Sequence, residues 1–330
     1  MAERLRPLTA PTSATIPSNS VARFKTSTLG TMGISTSSSV LSRRAALGGF
    51  LAVALTPTAF AKHEPNKLAE AHSALKSIEH STGGHLGVAA RDAGHAFRIA
   101  YNADRPFPLC STFKFLAVTM MLKRVDDKAD KLDRMVAYGA ADLLEYAPVA
   151  KQHVAEGVMA VSELCAAAIE YSDNTAANLL LREMGGPPAF TRFARSLDDA
   201  VTSLDRNEPT LNDAKFGDER DTTTPEAMLG DMERILLGDE LKPQSRMQLE
   251  AWLVGNTTGA QRLRAGLPPD WAVGDKTGSG NMTSNDIAII RPPGRKPIMA
   301  AVYLTGTKVD ATGRDKAIAD VGRVIAELYR

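Results

Sequence analysis

Apolar positions follow two rhythms along the chain. Between Lys62 and Ser81, Leu68, Ala71, Leu75 and Ile78 recur at helical spacing, and Thr82-Gly83-Gly84 ends the pattern. Leu86–Arg91 and Phe97–Tyr101 then predict two strands, joined by a turn around Asp92-Ala93-Gly94-His95. At the far end, Trp271–Lys276, Asp286–Arg291 and Ile298–Thr305 predict three more, the last two joined through Pro292-Pro293-Gly294. A closing helix carries Ile318, Val321, Val324, Ile325 and Leu328 on one stripe. Residues 111–250 give mostly helical signals. Tight turns between neighbouring strands imply antiparallel pairing. The expected fold is therefore α/β in three layers, α-β-α, with a five-stranded antiparallel sheet and an inserted all-helical domain. Residues 62–108 and 252–330 supply the sheet domain, and residues 109–251 the helical one.

Residues 1–61 follow neither rhythm. The stretch up to Val40 is rich in Ser, Thr, Ala and Pro. Then come Ser42-Arg43-Arg44, the apolar run Ala45–Leu55 and Ala59-Phe60-Ala61, the order of a signal peptide with its cleavage site. The run is too short to span a bilayer, which takes about 20 apolar residues. The arginine pair points to twin-arginine export, with ordinary Sec export as the alternative. Cleavage is expected after Ala61, leaving the protein periplasmic or secreted and without stable membrane association. Met32 is a second candidate start, because 1–31 are long for a leader.

Of 39 basic and 38 acidic residues, six and one precede residue 62, so the remainder is net −4. Without a basic block, nucleic acid is a poor partner. Cys110 and Cys165 could pair in an oxidising compartment, but two cysteines make no disulfide framework. His80 and His85 suit surface positions near a turn better than a metal site. Neither a metal nor a cofactor is implied, and a monomer is expected.

Candidate chemistry lies in four stretches. Pro106 and Pro108 keep the chain extended before Ser111, and the dense apolar run that follows predicts a buried helix with Ser111 at its N-terminus. Lys114, one turn on, shares a face with Ser111. A lysine in a partly dry site loses enough of its charge to take a serine proton; alone, Ser-x-x-Lys also fits a capping serine followed by a surface lysine. Tyr171-Ser172-Asp173-Asn174, between two apolar helices, reads either as a helix cap or as a loop offering Ser172 and Asn174 to a cleft, with Asp173 turned inward. Glu208-Pro209-Thr210-Leu211-Asn212, in a polar aperiodic stretch, reads either as solvated surface or as a carboxylate held over a water, with Asn212 sharing its ligand. Lys276-Thr277-Gly278-Ser279-Gly280 reads either as a turn or as a strand edge that accepts an anionic substrate group.

In this order the four stretches resemble the class A serine β-lactamases, from about residue 65 to the end. The resemblance implies a serine β-lactamase/transpeptidase-like fold and hydrolysis of penicillin- or cephalosporin-type amides through a serine acyl-enzyme. It makes Ser111 the nucleophile, Lys114 its partner, Ser172 the proton relay to the leaving nitrogen and Glu208 the base for the deacylating water, helped by Asn212. Asn174 would bind the substrate's side-chain amide, and Lys276, Thr277 and Ser279 its carboxylate. The N–H groups of Ser111 and Ser279 would form the oxyanion hole that Gly278 makes accessible. Many members carry an arginine on the strand after Lys-Thr-Gly. Met282–Asp286 has none, and Arg262 fits the place of a substitute. Gly280 stands where a subgroup has a cysteine bridged to the one before the nucleophile. Tyr146 suits either an aromatic at the cleft mouth or an ordinary half-buried tyrosine.

The nearest rival is a penicillin-binding peptidase, which lacks the Glu-Pro-x-x-Asn loop and usually carries an anchor. A penicillin-sensing domain would lack the deacylating carboxylate. A plain serine peptidase needs a His-Asp pair that the sequence does not offer.

Overall fold

The computed structural model describes residues 64–94, 98–213 and 217–330. The expected leader, its cleavage site and Phe97 lie outside them. Helix α1 (Glu64–Thr82) leads into β1 (His85–Asp92) and β2 (Arg98–Tyr101). The short β3 (Phe107–Pro108) precedes a 3-10 turn, Cys110–Thr112, that runs into α2 (Phe113–Asp126). After it come β4 (Met135–Ala137), β5 (Val158–Ala160), α3 (Val161–Glu170), α4 (Asn174–Met184) and α5 (Gly186–Ser196). A long loop returns through β6 (Thr222–Thr223) to α6 (Pro225–Leu236), α7 (Pro243–Val254) and α8 (Leu263–Gly266). The chain closes with β7 (Ala272–Gly280), β8 (Thr283–Arg291), β9 (Ile298–Thr305) and α9 (Ala311–Tyr329).

The five long strands form one antiparallel sheet in the order β2-β1-β9-β8-β7. Strand alternation sorts its side chains between two cores. Ile298, Ala300, Val302 and Leu304 of β9 pack with Leu75 of α1 and Ile318, Val321 and Ile325 of α9. Met299, Ala301 and Tyr303 of the same strand face the helices that follow residue 108. The sheet is thus covered on both faces, which gives the three layers. Of the segment 109–251, α6 packs on β1 and β9, and α7 packs on β7.

Two local differences from the sequence expectation bear on the site. The 3-10 turn delays the helix to Phe113, leaving Ser111 in the turn itself. The strand beginning at Ala272 continues through Lys-Thr-Gly-Ser-Gly to Gly280, because those residues go on pairing with β8. The reversal falls instead on Asn281 and Met282, the latter at φ +51°.

Candidate active site

The turn that carries Ser111 is held from three sides. Asn285 of β8 donates to Pro108 O (2.8 Å) and Leu109 O (3.2 Å), Leu109 N donates to Asp221 O (2.8 Å), and β7 runs close alongside. A Cβ at Gly278 would stand 3.0 Å from Leu109 O and 3.2 Å from Cys110 Cβ, so any larger residue would push β7 and the turn apart by a few tenths of an ångström. Cys110 takes φ +44°, a costly conformation for a side chain with a Cβ, and it swings Ser111 toward the cleft.

The Ser111 hydroxyl donates to Glu208 Oε1 (3.0 Å), and Lys114 Nζ lies 3.2 Å from the same oxygen. Lys114 is fully buried and also donates to Asn174 Oδ1 (2.6 Å), Ser172 O (2.7 Å) and Ser172 Oγ (3.3 Å). Burial pulls its pKa down, and the Glu208 carboxylate resists that pull. The expected link from Lys114 to Ser111 thus runs through Glu208 among the described hydrogen bonds. Asn212 Nδ2 donates to Glu208 Oε2 (2.6 Å).

Ser172 sits at φ +56°, between α3 and α4. Asp173 is turned inward as expected: it caps α4 at Ala176 N and accepts from Val149 N and Ala150 N (2.9 Å each). The Ser172 hydroxyl faces two lysine Nζ atoms, those of Lys114 and Lys276, the second donating to it at 3.0 Å. Lys276 has no solvent contact. Burial, and then the neighbouring Lys114, hold its pKa well below the ordinary lysine value.

Arg262, 7% exposed, donates to Ser279 Oγ (2.7 Å), Gly278 O (2.8 Å) and Asn285 O (2.8 Å), and Asp315 holds its Nε at 2.8 Å. A cleft of about 350 Å³ is lined by Ser111, Ser172, Asn174 and Asn212 together with Thr258, Arg262, Thr277 and Ser279. Tyr146, 51% exposed, also lines it.

The profile described as the Beta-lactamase enzyme family matches residues 70–329. Beta-lactamase AST-1 of Nocardia asteroides is 49% identical over 251 residues, 76% of this chain and 81% of its own. Beta-lactamase OXY-2 of Klebsiella oxytoca is 44% identical over 257 residues, 78% of this chain and 88% of its own. Among solved structures, the ancestral (GNCA) class A β-lactamase of Gram-negative bacteria superposes with a TM-score of 0.77 at 56% identity, covering 78% of this chain and 99% of that one. The chain belongs to the class A β-lactamases.

The cleft of this β-lactamase uses residues that the sequence motifs do not mark. Asn178 clasps Glu208 by its main chain, accepting from its N–H (3.0 Å) and donating to its carbonyl (2.8 Å). Its signal was available: four residues after Asn174, it lies on the same helical face. Thr258 shares a hydrogen bond with Thr277. Asp221 accepts from Asp205 N (2.7 Å) and Arg206 N (2.9 Å) and pairs with the Arg206 guanidinium (2.6 Å), closing the Glu208 loop. No spacing rule predicted that pairing. Cys110 and Cys165 are both buried free thiols, so the pairing left open by the sequence does not form.

Proposed function

We propose the following division of labour for the β-lactam hydrolysis that belongs to this family. Ser111 Oγ attacks the lactam carbonyl carbon, and its proton passes to the Glu208–Lys114 pair. The lactam C–N bond breaks as the Ser172 hydroxyl gives its proton to the departing nitrogen and takes in its place, from Lys114 at 3.3 Å, the proton that left Ser111, which restores the Glu208–Lys114 pair. The product is an ester on Ser111. A water then attacks that ester, Glu208 takes the water's proton while Asn212 holds its second oxygen, and Ser111 regains its hydrogen. The N–H groups of Ser111 and Ser279 stabilise the oxyanion in both steps. Arg262, Lys276, Thr277 and Ser279 bind the substrate carboxylate, Asn174 its side-chain amide, and Tyr146 flanks the mouth.

The observation that carries this reading is the reach of Glu208 Oε1 to both Ser111 Oγ and Lys114 Nζ. General-base catalysis is worth about 10²–10⁴-fold, so Glu208→Gln is expected to slow deacylation by that order and to trap the acyl-enzyme. Mass spectrometry after a penicillin pulse reads the adduct. It should be absent in Ser111→Ala and persistent in Glu208→Gln; wild-type turnover by Glu208→Gln without an adduct would refute the assignment. An unmutated chain that stays acylated would favour a penicillin sensor.

Export is part of the same proposal. The protein leaves the cytoplasm by the leader 1–61 and works as a monomer in the periplasm or outside the cell. Among the described residues no helix is long and apolar enough to cross a membrane.

A further inference from the structure

Helix α6 lays Met228, Leu229, Met232 and Ile235 into the core between helices and sheet, and one acid stands on that face. Asp231 is 1% exposed. Asp199, itself 6% exposed, comes from the segment after α5 and lies near enough for its carboxylate to act on Asp231. Asp199 Oδ1 accepts from Val201 N (2.7 Å) and Thr202 N (2.9 Å). Asp199 Oδ2 and Asp231 Oδ2 are both buried, and neither has a hydrogen-bond partner among the described residues. Two neighbouring carboxylates cannot both ionise in such surroundings, and one proton held between them satisfies both orphaned oxygens.

Neighbouring charges do not replace that proton. Arg195 of α5 is engaged with Asp199 O (2.5 Å) and Thr202 O (2.8 Å), and Arg234 of α6 lies 3.4 Å from Asp198. Arg91 of β1 is taken up by Glu233, Arg246 of α7 by Gly238 O, and Tyr303 of β9 by Thr112 (3.3 Å).

The pair sits at the root of the loop that carries Glu208. Thr202, fixed by Asp199, shares a hydrogen bond with Thr223 (2.6 Å), and Ser203 N donates to Thr222 O (3.0 Å). These contacts bring together the two strands of chain that enter and leave the loop. Thr222 and Thr223 also pair with Pro108 and Phe107, just before the nucleophile turn.

We propose that Asp231 is a positioning residue for deacylation: the proton it shares with Asp199 keeps the neck of the Glu208 loop closed, and its loss lets Glu208 drift from the ester-bound Ser111. This rests on Glu208 being the deacylating base. Burial, then the Asp199 charge and hydrogen bond, push the Asp231 carboxyl up to about 9. Between the ordinary value of 3.8 and that point the folded chain binds more protons than the unfolded one, so this pair's contribution to stability falls as pH rises. Above it the pair is doubly charged.

Asp231→Asn tests the proposal, because the amide still donates to Asp199 and no longer titrates. For a group titrating near 9, the protonated fraction falls about tenfold between pH 8 and pH 10, and wild-type deacylation should fall with it. Asp231→Asn should hold within about twofold over that range and lose the downward slope of melting temperature against pH. Asp231→Ala should accumulate acyl-enzyme already at pH 7 with Glu208 intact. Asp199→Asn, which equally removes the second charge, should also flatten the alkaline loss and carries the test if Asp231→Asn does not fold. The same tenfold loss in both Asn variants, or wild-type deacylation by Asp231→Ala, would overturn it. The melting slope requires no catalytic role, so a chain that hydrolyses no β-lactam refutes the proposed function while this measurement still reads the pair.

Discussion

At the scale of single residues, the site buries two lysine side chains, Lys114 and Lys276, out of contact with solvent. Lys276 is a base whose pKa is held down in the folded protein, so the folded chain binds fewer protons than the unfolded one below the ordinary lysine value. Stability from this group therefore rises with pH, and at neutral pH its burial costs stability. Lys276→Met should raise the melting temperature by a few degrees while kcat/KM collapses, a trade of stability for function. A lower melting temperature would mean that the bonds to Ser172 and Thr277 O outweigh the desolvation. Arg262 behaves differently, since its guanidinium satisfies two carbonyls and a hydroxyl at once. Losing a charged hydrogen-bond partner costs about 1.5–3 kcal/mol, so Arg262→Ala should lower kcat/KM roughly 10–100-fold for carboxylate-bearing substrates. Arg262→Lys should recover little, because one ammonium cannot span the three acceptors. Unchanged kinetics in Arg262→Ala would leave the carboxylate to Lys276 alone.

Between elements, glycine sets how closely backbones approach. Gly266 ends α8 against α9, and a Cβ there would lie 1.9 Å from Ala319 O and 2.8 Å from Arg323 N. Neither atom is the mobile end of a side chain, so the helices must part. Gly266→Ala should destabilise by at least the roughly 1–3 kcal/mol typical of overpacking, read as a lower urea midpoint. An unchanged midpoint would show that α8 shifts freely. This closeness was not legible in the sequence, because the four residues of α8 are too few for any period to register. The long strands and terminal helices were legible because each repeats its apolar rhythm over many residues. The pairs β3 with β6 and β4 with β5 were not, being two or three residues long, too short for any period to register. Ser111, Lys114, Ser172, Glu208 and Lys276 were marked by their motifs, and the fold gathers them in one cleft. Thr258 was not, since it acts on Thr277 through a contact that sequence spacing does not encode; Asn178 shares a helical face with Asn174 four residues before it, but that spacing does not tell that it clasps the Glu208 main chain. Asp231 left a trace, an acid on the stripe Met228, Met232 and Ile235, but its partner Asp199 lies on a loop that no period reaches.

For the whole molecule, charge is divided unevenly along the chain. Six of the seven charged residues before residue 62 are basic, whereas the rest of the chain is net −4. In the export reading proposed above, the basic segment ahead of the apolar run is retained on the cytoplasmic side while the run inserts, and the acidic remainder is carried across behind it. The Arg43-Arg44 pair selects the twin-arginine route in this reading. Replacing both by Lys keeps the charge but not the guanidinium pair, so it separates the two routes. If the twin-arginine route operates, the Lys-Lys variant should leave the precursor uncleaved inside the cell and abolish penicillin resistance, although the cytoplasmic protein still hydrolyses penicillin once cells are lysed. Sequencing the exported wild-type protein should give Lys62 as its first residue. Undiminished export of the Lys-Lys variant would assign the leader to Sec, and a first residue other than Lys62 would move the cleavage site.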